Sequence, residues 1–146
     1  PGRRLSGIID KRGAHCYQIQ SHSRMSLEIL MPTATRFLRR DPATIQPWRE
    51  TCGQIRCLVE EKDGAAAEVH YVEIHDAKLH YHARTDEFYY VISGQGTMRL
   101  DDDEIELHPG VVVYVPRGVK HKAIGNLTVL TICIPRGVLD DVHELE

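Results

Sequence analysis

From residue 55 onward the chain alternates short apolar runs with polar turn residues. The runs at 55–59, 68–74, 78–82, 87–93, 97–100, 104–107, 111–115, 121–124 and 128–134 are rich in Val, Ile, Tyr and Thr. Such side chains suit a pleated, half-buried surface. Turn formers separate the runs: Lys62-Asp63-Gly64, Ser93-Gly94-Gln95-Gly96, Asp101-Asp102-Asp103, His108-Pro109-Gly110, Pro116-Arg117-Gly118 and Gly125-Asn126. With no long amphipathic helix among them, the pattern predicts an all-β antiparallel sandwich or barrel. Strand alternation then assigns faces. If Glu87 points inward, so do Tyr89 and Val91, while Phe88 and Tyr90 face out. Val119 and Ala123 share the face of His121. His70, Val72 and Ile74 alternate with Tyr71, Glu73 and His75, and the more apolar set is expected inside.

Residues 1–47 read differently. They lack a sustained period, mix Arg, Ser, His and Gly, and are broken by Pro32, Pro42 and Pro47. A short amphipathic helix over 34–40 fits between the first two prolines. The segment is expected to be an irregular extension covering the edge of a barrel domain at 48–146, or a partner subunit, with Trp48 packing it in place. A targeting peptide, or a true start at Met25 or Met31, is the alternative.

Length and composition narrow the classes. The chain has 146 residues, 42% hydrophobic and 27% charged, enough for one ordinary globular core. Its longest apolar run, 111–115, is far too short to span a bilayer. The net charge of −3 conceals an asymmetry: residues 1–40 hold eight Arg or Lys against Asp10 and Glu28, and the remainder is strongly acidic. That acidic body would repel a phosphate backbone, so no nucleic-acid partner is expected. Cys16, Cys52, Cys57 and Cys133 show no C-x2-C spacing and read as ordinary thiols of a cytoplasmic protein. Arg56, Arg84 and Arg99 are expected in ordinary salt bridges, and His15, His22, His108 and His143 at the surface.

The chemistry lies in the histidines. His80-Tyr81-His82 puts two imidazoles on one strand face, and Glu87 opens the next strand after a loop short enough to fold its carboxylate over them. His121 follows the Pro116-Arg117-Gly118 turn on a strand able to pair nearby. Three imidazoles and one carboxylate suit a divalent transition metal (Fe, Mn, Ni, Zn, Cu or Co) and leave coordination positions open. The triplet Asp101-Asp102-Asp103 reads instead as a solvated hairpin tip, because adjacent residues on a turn converge poorly on one ion. Tyr89 would place its phenol within reach of a metal-bound substrate as hydrogen-bond donor or proton relay. The alternative is a core tyrosine with a satisfied hydroxyl.

These residues resemble the cupins. The first cupin motif, H-x-H, three or four residues, E, six residues, G, reads here as His80-x-His82, four residues, Glu87, six residues, Gly94. The second, G, five residues, P-x-G-x-x-H, reads as Gly110, residues 111–115, Pro116-x-Gly118-x-x-His121. Ile74 stands where the first motif has a glycine, and Asn126 falls one place late for the second. The resemblance implies a double-stranded β-helix, a jelly-roll barrel, with His80, His82, Glu87 and His121 as metal ligands. It gives Gly94, Gly96, Gly110 and Gly118 the role of positive-φ hairpin residues. It also implies an enzyme acting on a small oxygen-bearing substrate, by dioxygenase, decarboxylase, isomerase or lyase chemistry. A non-catalytic sensor or storage protein for a small ligand or metal is the alternative, and a scaffold with a vestigial site a minor one. Pairing as a homodimer through exposed barrel strands is expected.

Overall fold

A computed structural model describes residues 37–138 and 140–145. Its strands are β1 (Trp48–Glu50), β2 (Gly53–Val59), β3 (Glu68–Asp76), β4 (His80–Tyr81), β5 (Asp86–Leu100), β6 (Asp103–Leu107), β7 (Val112–Val115), β8 (His121–Ile134) and β9 (His143–Glu144). Two single 3-10 turns, Pro42–Thr44 and Glu61–Asp63, are the helical structure among the described residues, and neither is long enough to cross a membrane. All pairings are antiparallel, in one sheet that curls into the jelly-roll that the cupin resemblance implies.

Strand β8 is the spine, with β3 and β5 both paired to it. The registers set Glu68, Cys133 and Glu87 in one rung, His70, Thr131 and Tyr89 in the next, and Val72, Val129 and Val91 in the third. The inward face therefore changes from polar to apolar along the barrel. Val72, Val91, Val129 and Met98 are fully buried, and Ile74 and Leu127 nearly so. Each such side chain contributes roughly 1.5–3 kcal/mol by leaving water. The polar rungs lie at the end where the histidines gather. Of the two sets on β3, it is Val72 and Ile74 that line the interior, with His70 continuing their face.

Two expected turns are not turns. Residues 93–96 lie inside β5 and residues 125–126 inside β8, and these strands pair along their length with a bulge between Val91 and Ser93. The glycines serve a close crossing of two strands. A Cβ on Gly94 (φ +90°) would meet the Asn126 carbonyl oxygen at 1.8 Å, and one on Gly125 (φ +133°) the Gln95 oxygen at 2.4 Å. This crossing lets β5 hold β7 along 87–90 and β6 along 96–100. Gly96, expected at positive φ, needs no such conformation; its constraint is the Ile124 oxygen, 2.2 Å from the position of a Cβ. Gly110 and Gly118 do take positive φ in open turns.

The helix expected over 34–40 does not form at Phe37–Arg40, and residues 34–36 lie outside the described residues, as do residues 1–33 with Cys16. Arg40 is instead drawn to the β2–β3 connection, where its guanidinium donates to the Leu58 carbonyl and to both carboxylate oxygens of Asp63. The Asp41 side chain accepts from Ala43 N and opens the turn at Pro42 in place of a longer helix. Asp101 (φ +51°) and its neighbours form an exposed hairpin tip between β5 and β6.

Candidate metal centre

His80 and His121 are direct cross-strand partners of β4 and β8, and their ring centroids stand 4.3 Å apart. His82 lies one residue past the end of β4, yet alternation persists: its ring turns inward like that of His80, while Tyr81 turns out and stacks on His143. Glu87 enters from the second position of β5, and its Oε2 lies 3.0 Å from His121 Nε2 and 3.2 Å from His82 Nε2. One donor atom from each of the four residues lies within 4.8 Å of every other. All four are buried.

The ring orientations test whether a cation fits. His80 Nδ1 is 2.9 Å from the Lys78 carbonyl and His121 Nδ1 is 3.0 Å from the Val119 carbonyl. A carbonyl only accepts, so each Nδ1 carries the ring proton, and in a neutral ring Nε2 is left as a lone pair facing the cluster. His121 then aims a lone pair at a carboxylate oxygen, a contact that a shared cation turns from repulsive to attractive. His82 Nε2 is buried and, although 3.2 Å from Glu87 Oε2, makes no well-aligned hydrogen bond among the described residues. Such an atom costs about 1–3 kcal/mol unless something binds it. Donor separations of 3.0 and 3.2 Å match two ligands at right angles, each about 2.1 Å from one ion. The residues present fit a divalent metal.

The electrostatics of the His80 ring point the same way. Burial, reinforced by His121, pulls the His80 pKa down to about 4, so the ring is neutral at pH 7, the form that ligates. Burial pushes Glu87 up, but positive charge on the His121 and His82 rings against it prevails and holds it well below the usual carboxylate range, the part a bound cation would take where those rings are neutral. Burial also disfavours charge on His82, yet Glu87 and Asp141 beside it raise its pKa overall.

A family profile for the cupin domain matches residues 67–134, the stretch that carries all four donors. A protein from Planctomyces limnophilus superposes with a TM-score of 0.71 at 23% identity, covering 76% of this chain and 99% of that one. Residues 67–134 are thus a cupin domain, in a chain with the cupin fold. Other similar cupin folds include the nucleoside dehydratase Pac13 of Streptomyces (TM-score 0.65, 16% identity, 77% of this chain and 92% of that one). Ectoine synthase from P. lautus is a further one (TM-score 0.65, 17% identity, 75% and 91%). Among curated sequences, an uncharacterized protein of Methanocaldococcus jannaschii is 37% identical over 57 residues, which is 38% of this chain and 46% of that protein. A glucose-6-phosphate isomerase of Thermococcus onnurineus is 40% identical over 80 residues, 44% of this chain and 42% of that protein. The match thus spans under half the length of these two relatives.

Around the four donors this cupin places residues that the sequence did not single out. Asp141, buried, accepts from Ala83 N, Arg84 N and the Thr85 hydroxyl, and so pins the loop between His82 and Glu87. Asp86 binds Arg117 through both carboxylate oxygens and Gly118 N donates to the His82 carbonyl, which ties the turn before His121 to the same loop. Cys52 Sγ stands 3.6 Å from His80 Nε2, and Cys133 Sγ 3.4 Å from Glu87 Oε1. Burial raises the pKa of both thiols, so neither is a thiolate at neutral pH. Alternation along 128–134 was enough to put Cys133 on the face of Val129 and Thr131. Cys52 and Asp141 fall outside any periodic run and carried no signal.

Tyr89 is buried with its hydroxyl 3.3 Å from Glu87 Oε2 and 4.0 Å from Cys52 Sγ. It is not among the residues that line the neighbouring cavity. That cavity, of about 260 Å3, opens onto His82 and Glu87 and is walled by Trp48, Ile55, Val72 and Cys133 among others. Arg56 is engaged by Glu73 at 2.7 Å and lies over the Tyr71 ring, on the outer side of β2 and β3. Arg84 reaches Asp141 at 3.5 Å, and Arg99 donates to the Asp101 carbonyl.

Proposed function

We propose that this cupin is a metal-dependent enzyme acting on a small oxygen-bearing organic substrate. The observation that carries the reading is the convergence of His80, His82, Glu87 and His121 beside a cavity that His82 and Glu87 line and that is large enough for a small molecule. A divalent metal held there would act as a Lewis acid on a bound oxygen, and as a site of O2 chemistry if it is iron or copper. The protein's own part is to hold the donors in place. The Lys78 and Val119 carbonyls fix two rings, Asp141 fixes the loop, and the Tyr89 hydroxyl donates to Glu87 and fixes its rotamer. Tyr89 is in this reading a positioning residue, because its hydroxyl bonds to Glu87 and it does not line the cavity. The valine rungs below the cluster keep bulk water from the far side. The named activities of the similar proteins, an isomerase, a dehydratase and a synthase, support an enzyme over a storage protein.

Metal analysis of the purified protein, followed by turnover and oxygen uptake over a panel of small hydroxylated and carbonyl compounds, tests the proposal. The wild type is expected to hold about one divalent ion per chain, and His80→Ala and His121→Ala to lose it. Full metal content in both variants sinks the site. Tight binding across the panel with no product makes the protein a sensor or carrier instead. We further propose that two copies pair through the outer faces of β5 and β7.

A further inference from the structure

Residues 140–145 run as a short strap beside the candidate metal centre. Strand β9 pairs with β4 there, setting Glu144 opposite His80 and His143 opposite Tyr81, and Leu145 N donates to the Leu79 carbonyl. Apolar packing does little to hold the strap, since Val142 and Leu145 are exposed. Glu144 bonds Lys78 and Thr51 at the surface, where such pairs contribute little. The one buried residue of the six is Asp141, which follows a positive φ of 54° at Asp140.

A carboxylate is seldom buried unless its charge is met. Ala83 N, Arg84 N and the Thr85 hydroxyl donate to Asp141 at 3.0, 3.1 and 2.7 Å. His82 Nδ1 lies 4.0 Å from Asp141 Oδ2, while Nε2 of the same ring meets Glu87. The donors all belong to the loop whose two ends are His82 and Glu87. Their geometry at Asp141 therefore depends on how those two ends are held. His80 and His121 are supported locally, by carbonyls two residues earlier in the chain. The support for the loop between His82 and Glu87 comes from a distant segment instead. That segment is also cavity wall, because Asp141 and Val142 line the cavity together with His82 and Glu87.

We propose that metal uptake and the anchoring of residues 140–145 are one linked equilibrium. An ion joining His82 to Glu87 sets the loop donors that bind Asp141, and so builds one wall of the cavity. This rests on the metal reading above and adds regulation to it: without the ion the cavity loses a wall as well as a ligating centre. Linkage is reciprocal. The factor by which the ion favours the anchored strap equals the factor by which the anchored strap raises ion affinity.

Hydrogen exchange read by mass spectrometry on the full chain, metal-free and zinc-loaded, tests the proposal. Zinc is expected to slow exchange across 140–145 about tenfold, the size typical of outer partners of metal ligands and of coupled sites. Asp141→Asn keeps the side chain's shape and removes its charge and one acceptor. It is expected to bind zinc about tenfold more weakly in chelator competition, with 140–145 no longer protected by zinc. Thr85→Val removes a donor from the loop side and is expected to act in the same direction. The two substitutions together are expected to cost no more than Asp141→Asn alone, because both act on one anchor. Wild type and Thr85→Val carry the test if Asp141→Asn does not fold. A carboxylate with a merely structural role would lower the thermal midpoint and leave zinc affinity as in wild type, which overturns the proposal. So does wild-type protein that binds zinc with exchange at 140–145 unchanged. A wild type that takes up no zinc refutes the metal reading itself, and this inference with it.

Discussion

At the scale of single residues, the role of Tyr89 divides into two measurable alternatives. Its hydroxyl sits 3.3 Å from Glu87 Oε2, and burial holds its pKa far above the ordinary value, so it is a fixed donor to that carboxylate at any working pH. Removing an outer partner of a ligating carboxylate typically weakens metal binding about 10–100-fold. Tyr89→Phe is therefore expected to lose metal to a competing chelator at least tenfold more readily than wild type. A proton relay to substrate would leave metal affinity untouched and lower turnover alone, and that result would return Tyr89 to a catalytic role. A second residue-scale effect lies away from the site. The Arg40 guanidinium bonded to Asp63 holds that carboxyl at about 2, below its ordinary 3.8. Because the folded value is the lower one, the pair's stabilisation is present above pH 4 and fades as pH falls through 2. The thermal midpoint of Asp63→Asn is expected to lie below that of wild type at pH 6 and to converge with it near pH 2. A gap that stays constant across that range would show that the pair contributes nothing.

At the scale of elements, the crossing of β5 and β8 is the part of the fold with least tolerance. Gly94 combines positive φ with backbone 1.8 Å from where a Cβ would stand, whereas Gly110 and Gly118 have positive φ and open space around them. Alanine at Gly110 or Gly118 is expected to cost about 1–2 kcal/mol, the backbone penalty alone. Gly94→Ala must also push two strands apart, and is expected to abolish cooperative unfolding or to yield insoluble protein; a midpoint close to that of Gly118→Ala would show the crossing to be plastic. This crossing also marks where sequence reading fell short. Ser93-Gly94-Gln95-Gly96 carries the composition of a hairpin turn, and only the partner strand shows that the glycines make room for Asn126 and Ile124. The H-x-H pair and Glu87 were legible because their spacing is local and strand alternation fixes their direction. His121 was legible through the turn motif that presents it. Asp141 and Cys52 reach the site from irregular segments at either end of the barrel domain, where no period exists to assign a face. The 34–40 stretch looked helical because Phe37 and Leu38 sit among arginines, and the distant Asp63 that extends Arg40 left no local trace.

At the scale of the whole molecule, β5 does two jobs with its two faces. Its inward residues Glu87, Tyr89 and Val91 supply a candidate metal donor, the hydroxyl that bonds to it, and core. Its outward residues Tyr90 and Ile92 remain 44% and 40% exposed. The neighbouring strand continues that outer surface: Tyr114 opposes and stacks on Phe88 at 4.8 Å, and Val112 opposes Tyr90, with Val112 62% and Tyr114 51% exposed. Clustered aromatic and β-branched side chains on one flat sheet face are unusual on a lone barrel. A two-fold axis through such a face buries the same patch on both copies with no need for charge complementarity. It would also brace β5, and through it Glu87, by packing on the reverse side of the strand. Light scattering of the full chain is expected to give about twice the 16.6 kDa of one chain, and Val112→Lys/Tyr114→Lys to bring the mass down to that of a single chain with metal content preserved. A wild-type mass of one chain would refute the pairing. A double variant that stays dimeric would move the interface to another face of the barrel.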